Sequence, residues 1–237
     1  MRRLVPHLAA LLVGLACLSA LPAAAAMVDL LGTGEVRVES DAALPQWRRV
    51  VRGMAAEEPL VQACLADHER CPNQTVQAWL ALLHGLDGAP LARQLDAVNH
   101  FVNRAPYRTD LDNYGRRDRW ATPLEFFRRS GDCEDYAIAK YASLRRLGIA
   151  AAALRLVVVQ DLHRGLPHAV LAVYEGTAVY ILDNLSDVVR EQAQVDAYRP
   201  YYSVSELAWW VHVPSDRAVA AGSAAPSPTR AAGTSGE

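Results

Sequence analysis

One cysteine of the 237-residue chain, Cys133, lies at the start of a predicted helix and between acidic residues. At a helix N-terminus, unpaired backbone N–H groups and the positive end of the helix dipole favour the thiolate form of a cysteine. The same N–H groups are placed to stabilise an oxyanion on a carbonyl that the thiolate attacks. Cys133 is therefore the candidate nucleophile, and the alternative is an inert buried thiol.

A cysteine nucleophile needs a base, and the base needs a residue that orients it. His168 begins a predicted strand and Asp183 ends the next one, with a two-residue turn at 175–176 between them. Around that turn, the two side chains meet at one edge of an antiparallel hairpin. The spacing predicts a triad of Cys133, His168 and Asp183, with His163 as a poorer candidate for the base. Singly, the two residues are equally consistent with an ordinary strand histidine and a turn aspartate.

Three carboxylates flank the candidate nucleophile, on Asp132, Glu134 and Asp135. Helix capping is their simplest role, because aspartate is a favoured N-cap residue and acidic side chains suit the first turn. Three negative charges beside a thiolate nevertheless raise the pKa of the thiol, so a cation is expected to offset them. Ca²⁺ binds clustered carboxylate and carbonyl oxygens, which makes these three residues candidate calcium ligands.

Both ends of the chain are predicted to lie outside the folded domain. Two arginines, an apolar run of roughly 14 residues and an Ala-rich end predict a secretory signal peptide over residues 1–26. Cys17 leaves lipidation as an alternative. Residues 219–237 consist largely of Ala, Ser, Gly, Pro and Thr, and we expect a disordered tail there. A single domain over residues 27–218 and a periplasmic location follow, with no membrane-spanning segment expected.

The composition excludes several classes of protein. A net charge of -2 gives no general basic surface for nucleic acid, and 51% hydrophobic residues exclude a disordered chain. The only lysine among the 24 basic residues is Lys140, which we interpret mainly as a coding bias of the source.

Cys64 and Cys71 are the other two cysteines of the predicted domain. Seven residues of unbroken helix separate two Cα atoms by about 10 Å, which is too far for a disulfide. Pro72 and the polar residues before it predict that the helix ends between the two cysteines, so that a turn brings them together. A disulfide is the favoured interpretation, and a metal site that includes His68 is the alternative.

The apolar periodicity predicts helices first and antiparallel strands afterwards, which is typical of the α+β class. Pro59 is expected to break or restart the first helix. The predicted helices cover 41–56, 60–66, 75–86, 91–104, 123–129 and 134–147, the predicted strands cover 154–160, 168–174 and 177–183, a loop covers 107–119, and a short helix or strand at 203–213 closes the sheet.

The segment GDCEDYAIAKY at 131–141 resembles the nucleophile motif of the bacterial transglutaminase-like cysteine proteinases, and within them the periplasmic adhesin proteases. Further similar segments occur in the family's order: WATPLEF at 120–126, LRRLGI at 144–149, HAVLAV at 168–173 and LDNL at 182–185. The resemblance covers nearly the whole predicted domain.

The resemblance implies a papain- and transglutaminase-like fold, in which N-terminal helices place the nucleophile at a helix N-terminus against an antiparallel sheet. It also implies a Cys-His-Asp triad on the same three residues that the spacing predicts. Calcium dependence is implied as well, with Asp132, Glu134 and Asp135 as the ligands.

The resemblance further implies a biological role. Very large surface adhesins are the expected substrates, cut near the N-terminus at a di-alanine site, so that the adhesin is released and a biofilm disperses. An inner-membrane receptor for cyclic di-GMP is expected to sequester the protease. Trp120 and Tyr136 are candidates for the specificity pocket. A transamidase or amidase with the same triad, and a calcium-regulated binding module, are the alternatives.

Overall fold

The computed structural model describes residues 29–38 and 44–215. The predicted signal peptide, Cys17 and the predicted tail lie outside the described residues. Within the described part, no helix is long and apolar enough to cross a membrane. The helices are α1 (Pro45–Ala66), α2 (Gln74–Gly85), α3 (Leu91–Asn103), α4 (Asp110–Tyr114), α5 (Pro123–Arg129) and α6 (Cys133–Arg146), and the strands are β1 (Thr33–Val38), β2 (Leu154–Asp161), β3 (Leu166–Glu175), β4 (Ala178–Asp183), β5 (Ser186–Glu191), β6 (Tyr198–Val204) and β7 (Trp209–Pro214).

The strands form one antiparallel sheet in the order β1-β7-β6-β2-β3-β4-β5. Helices followed by an antiparallel sheet confirm the α+β class, although β1 precedes the helices. The closing element predicted at 203–213 is a pair of strands, β6 and β7, and the loop predicted at 107–119 contains the short helix α4. Strands β1 and β5 were not expected. Both are edge strands without a fully buried residue, so neither carries the pattern of a strand with one buried face.

Helix α1 runs without interruption through Pro59, so the predicted break at this residue is wrong. Proline removes one backbone N–H, which leaves the carbonyl four residues earlier, on Ala55, without its helical partner. Both Ala55 and Pro59 are exposed, and water therefore satisfies that carbonyl at modest cost.

A disulfide joins Cys64, near the end of α1, to Cys71, with the two Cα atoms 4.4 Å apart. The helix ends at Ala66, and a 3₁₀ turn over His68–Arg70 reverses the chain between the two cysteines. The favoured interpretation of the sequence is confirmed. Cys133 is the free cysteine of the described residues.

Two turns fix the elements that flank the site. Thr122 caps α5, and Glu125 completes a capping box that the sequence pattern Thr-Pro-x-Glu encodes. The β3–β4 turn lies one residue later than predicted, because the last ladder pair is Glu175 with Ala178, and Gly176 adopts a positive φ of 60° that suits such a turn.

The core lies mainly between the helices and one face of the sheet. Alternate strand residues point to opposite faces. Leu156 and Leu171 belong to the main core, which includes much of α6, whereas Val157 and Val170 join a smaller core with Leu30. Helix α6 packs directly on β3, so the start of that helix is held against the strand that carries His168.

Reduction of the Cys64–Cys71 bond is expected to lower the free energy of unfolding by about 2.5 kcal/mol, because the bond closes a short loop that is otherwise free in the unfolded chain. Urea denaturation with and without reductant measures this difference without changing any side chain. The Cys133→Ser variant is the control, and it should retain the full response to reductant. Equal unfolding midpoints in the two conditions would contradict the prediction.

Candidate active site

The N-terminus of α6 carries the candidate nucleophile as its first residue, with Asp132 at the N-cap position. The backbone N–H of Asp135 donates to the carbonyl of Asp132 at 3.0 Å, which closes the first turn. Gly131 precedes this turn, and a Cβ atom there would lie 2.0 Å from the carboxylate of Asp135. Only glycine fits at this position, because the Asp135 side chain packs directly against it. Cys133, two residues later, is half-buried.

His168 and Asp183 are hydrogen-bonded at 2.8 Å, between Nε2 of the imidazole and Oδ1 of the carboxylate. The register of β3 and β4 makes them diagonal neighbours and not directly opposite partners, but both side chains stay on one face of the hairpin. A carboxylate only accepts hydrogen bonds, so Nε2 carries the proton and Nδ1 is left to accept one.

Asp183 is almost completely buried and accepts three hydrogen bonds. His168 and the backbone N–H of Leu185 donate to Oδ1, and the hydroxyl of Tyr198 donates to Oδ2. Burial alone raises the pKa of the Asp183 carboxyl, but these donors, His168 above all, bring the pKa below its ordinary value. Asp183 is therefore held in its ionised form. Tyr198 is a site residue that the sequence does not reveal, because it lies at the start of β6, before the range predicted for the closing element.

The thiol of Cys133 stands at the start of α6, which packs on β3, and the backbone of Ala169, which directly follows His168 on that strand, lowers its pKa. Its S–H group donates to Oε2 of Glu134 at 3.2 Å. Burial raises the pKa of the thiol well above its usual range, and the negative charges of Glu134 and Asp132 raise it further. Burial and the carboxylates together therefore raise the pKa of the thiol more than the helix N-terminus lowers it, and the thiolate is disfavoured.

Three carboxylates, those of Asp110, Asp132 and Glu134, place one oxygen each within 4.8 Å of one another. Asp110 was missed because it belongs to α4, in a stretch that the sequence predicts to be a loop. The backbone N–H of Asp110 donates to Oδ2 of Asp132 at 3.3 Å, and the backbone N–H of Arg119 donates to Oδ2 of Asp110. These bonds fix the two carboxylates against each other.

This carboxylate group fits a divalent cation. The Oδ1 atoms of Asp110 and Asp132 are buried and have no hydrogen-bond partner among the described residues. Burial and mutual repulsion raise the pKa of all three carboxyls, that of Asp132 to about 7. Hard, clustered oxygen donors of this kind are the ligands that Ca²⁺ takes, and a bound cation would remove the repulsion.

Asp135 lies apart from this group of carboxylates. Its Oδ1 accepts from the backbone N–H of Ala121 at 2.6 Å, and its Oδ2 accepts from that of Asp132 at 3.4 Å. The side chain is fully buried and joins the loop before α5 to the start of α6. In the described geometry both of its oxygens accept from backbone N–H groups, and Asp110 joins Asp132 and Glu134 in the cluster. The assignment of Asp135 as a calcium ligand stays a prediction.

The residues proposed for a specificity pocket are part of the core. Trp120 packs edge-on against Trp47, and Tyr136 donates its hydroxyl to the carbonyl of Ala105. Both are buried, whereas Tyr107, which stacks on Tyr136, is 56% exposed.

Tyr107 is an exposed aromatic residue close to the candidate nucleophile. The pKa of its hydroxyl is raised to about 12, by burial and then by the charges of Cys133, Asp132 and Glu134. His163 is exposed in the β2–β3 loop, and its backbone N–H bonds to Asp161.

The sequence model of the bacterial transglutaminase-like cysteine proteinases matches residues 56–218, well over half of the chain. The chain belongs to this family. It is a cysteine peptidase by family, and the predicted resemblance is confirmed. No curated protein matches the chain.

Solved structures of Legionella pneumophila LapG are similar to this member of the family. Calcium-bound LapG is 29% identical, with a TM-score of 0.58, over 64% of this chain and 87% of the LapG chain. LapG and EGTA-treated LapG are each 30% identical, with TM-scores of 0.56, over 65% of this chain and 84% of theirs. The transglutaminase-like fold expected from the sequence is thereby confirmed.

The stability of the fold is expected to depend on Asp183 in a pH-dependent way. Because the folded-state pKa of this carboxyl is depressed, its contribution is complete above the unfolded value of about 3.9 and is lost as the pH falls through the folded value. Asp183→Asn should therefore destabilise the protein at pH 7, and the difference from the wild type should shrink below about pH 4.

Urea denaturation at several pH values measures this difference. Asp187→Asn, which removes an exposed charge from the same turn, is the matched control. A difference that stays constant down to the lowest pH at which the protein folds would contradict the prediction.

Proposed function

We propose that the protein is a calcium-dependent periplasmic cysteine endopeptidase with Cys133, His168 and Asp183 as its catalytic triad. The proposal depends chiefly on one observation. An oriented His–Asp pair lies on strands β3 and β4, the helix that packs on β3 begins with the thiol, and three carboxylates suited to Ca²⁺ cluster at the start of that helix.

In this mechanism His168 accepts the thiol proton through Nδ1, since Nε2 is committed to Asp183. The thiolate attacks the scissile carbonyl, and the backbone N–H of Cys133 stabilises the oxyanion. The imidazolium, stabilised by Asp183, then protonates the leaving amine and leaves a thioester. Water hydrolyses the thioester, with His168 acting again as the base.

Asp110, Asp132 and Glu134 would hold the calcium ion. When bound, calcium supplies positive charge that neutralises the carboxylates responsible for raising the pKa of Cys133. The existence of calcium-bound and EGTA-treated LapG structures supports a role for calcium in this family.

The substrate that we propose is the N-terminal region of a large surface adhesin, cut at a di-alanine site to release the adhesin and disperse a biofilm. An inner-membrane cyclic di-GMP receptor that sequesters the enzyme is the proposed partner. Family membership and the similarity to LapG support these assignments, as does the predicted signal peptide.

A cleavage assay tests the proposed activity. The protein is incubated with an adhesin N-terminal fragment that contains a di-alanine site, in calcium and in EGTA. Cleavage by the wild type in calcium, and none by Cys133→Ala or in EGTA, is the expected result. Cleavage that survives EGTA would contradict calcium dependence, and transfer of an amine without cleavage would favour a transamidase.

Calcium is expected to raise the free energy of unfolding by about 2.7 kcal/mol at a hundredfold excess over Kd, because the folded chain alone presents the three carboxylates together. Asp110→Asn should remove most of this gain. Asp112→Asn, on the same short helix but exposed, should retain it.

Thermal unfolding in calcium and in EGTA measures the effect. An unchanged calcium response in Asp110→Asn would exclude this residue from the metal site.

A further inference from the structure

Lys140 is a buried cation that the mechanism does not use. It lies seven residues after Cys133 on the same helix, and its side chain is 0% exposed. Its Nζ atom has no hydrogen-bond partner among the described residues. Burial of an unpaired ammonium group is costly, so a natural sequence retains one only where it has a role.

Helix α6, which carries Lys140, packs against β4, which ends at Asp183, and against α3, which holds the turn after Asp183. Asp183 and Asp187, at the two ends of the turn, are the charges that act on the Lys140 ammonium group. Burial lowers the pKa of Lys140 to about 7, and these two carboxylates oppose that decrease. His168 and Tyr198 donate hydrogen bonds to the carboxylate of Asp183.

Helix α3 holds the same turn from the outside. The Nδ2 group of Asn103 donates to the Asp183 carbonyl at 2.9 Å and to Oδ1 of Asp187 at 3.0 Å. Asn99 donates to the carbonyl of Ser186 at 2.9 Å. His100 is a further titratable group on α3, and its Nδ1 lies 3.3 Å from Oδ2 of Asp187.

Among the described residues, three buried amide oxygens near this turn lack a hydrogen-bond donor, and the Lys140 ammonium group lacks an acceptor. Oδ1 of Asn99, of Asn103 and of Asn184 is buried without a hydrogen-bond partner in the described structure, and each of these atoms is an acceptor. An ammonium group has three N–H donors. Lys140 thus carries donors of the kind that these acceptors lack. No direct bond joins them in the described structure, so a connection between them would run through ordered water.

We propose that Lys140 is a positioning residue of the triad, whose buried ammonium group holds the 183–187 turn and stabilises the ionised Asp183. The inference builds on the proposed role of Asp183. Asp183 in turn orients and stabilises the imidazolium of His168, so the effect of Lys140 on the thiol passes through both residues.

The identity of the residue supports this role. Every other basic residue of the chain is arginine, so a lysine at this position departs from the sequence's strong preference. A guanidinium is larger, planar and permanently charged, whereas an ammonium is compact and directs three donors from a single atom.

Because Lys140 is the only lysine, the wild-type chain reports directly on it. Lysine labelled with ¹³C at Cε gives one side-chain signal, and its pH titration yields the Lys140 pKa. Reciprocal coupling predicts that Asp183→Asn lowers this pKa by about one unit, and that Asp187→Asn lowers it less, since Asp187 is exposed. An unchanged Lys140 pKa in Asp183→Asn would overturn the proposal.

Alkylation of Cys133 by iodoacetamide, followed by mass spectrometry of the Cys133 peptide in calcium, gives a second test. Lys140→Met is expected to move the acid limb of the pH–rate profile upward by about one pH unit, because an Asp183 that Lys140 no longer holds stabilises the imidazolium of His168, and through it the thiolate, less well. Arg145→Met, on the same helix and paired with Glu206, should leave the limb in place.

A purely structural Lys140 would change the melting temperature or the reactive fraction, but it would leave the acid limb where it is in the wild type. That result would overturn the proposal. Neither test needs a peptide substrate, so failure of the adhesin assignment and failure of the Lys140 assignment are distinguishable.

Discussion

The start of α6 carries four ionisable side chains in succession, from Asp132 to Asp135, and the site depends on how their charges are kept apart. Asp135 turns inward and binds backbone N–H groups. Asp132 and Glu134 turn toward Asp110. The thiol between them lies among carboxylates that raise its pKa, and without a cation the helix N-terminus does not compensate for them.

The other half of the site depends on the sheet. β3 and β4 carry His168 and Asp183, and the packing of α6 on β3 brings the thiol to the same edge. Asp183 stays ionised although it is buried, because donors from three different residues converge on its two oxygens. Rigid elements and this network of donors thus orient the imidazole before any substrate arrives.

The parts of the site that follow local rules could be predicted from the sequence. Alternation and a Glu-Gly turn place His168 near Asp183, and the Thr-Pro-x-Glu pattern defines α5. A one-residue error in the turn was harmless, because the register then changes by two and both side chains remain on the same face. The nucleophile at a helix start also follows from local capping chemistry.

The parts that depend on long-range packing could not be predicted. Asp110 comes from a polar stretch without apolar periodicity, and only the folded loop brings it to Asp132. Asp135 has the same local signature as its neighbours, but Gly131 and Ala121 determine where its carboxylate points. The burial of Lys140 could not be predicted either, since a lysine in a sequence is ordinarily expected to be exposed.

The reactivity of Cys133 is expected to depend on the neighbouring carboxylates and on the cation that neutralises them. The most direct measurement is the rate at which iodoacetamide alkylates Cys133 at pH 7, in calcium and in EGTA. Calcium is expected to accelerate the reaction at least tenfold, which is the effect of a decrease of about one unit in the thiol pKa. Equal rates in the two conditions would contradict the account.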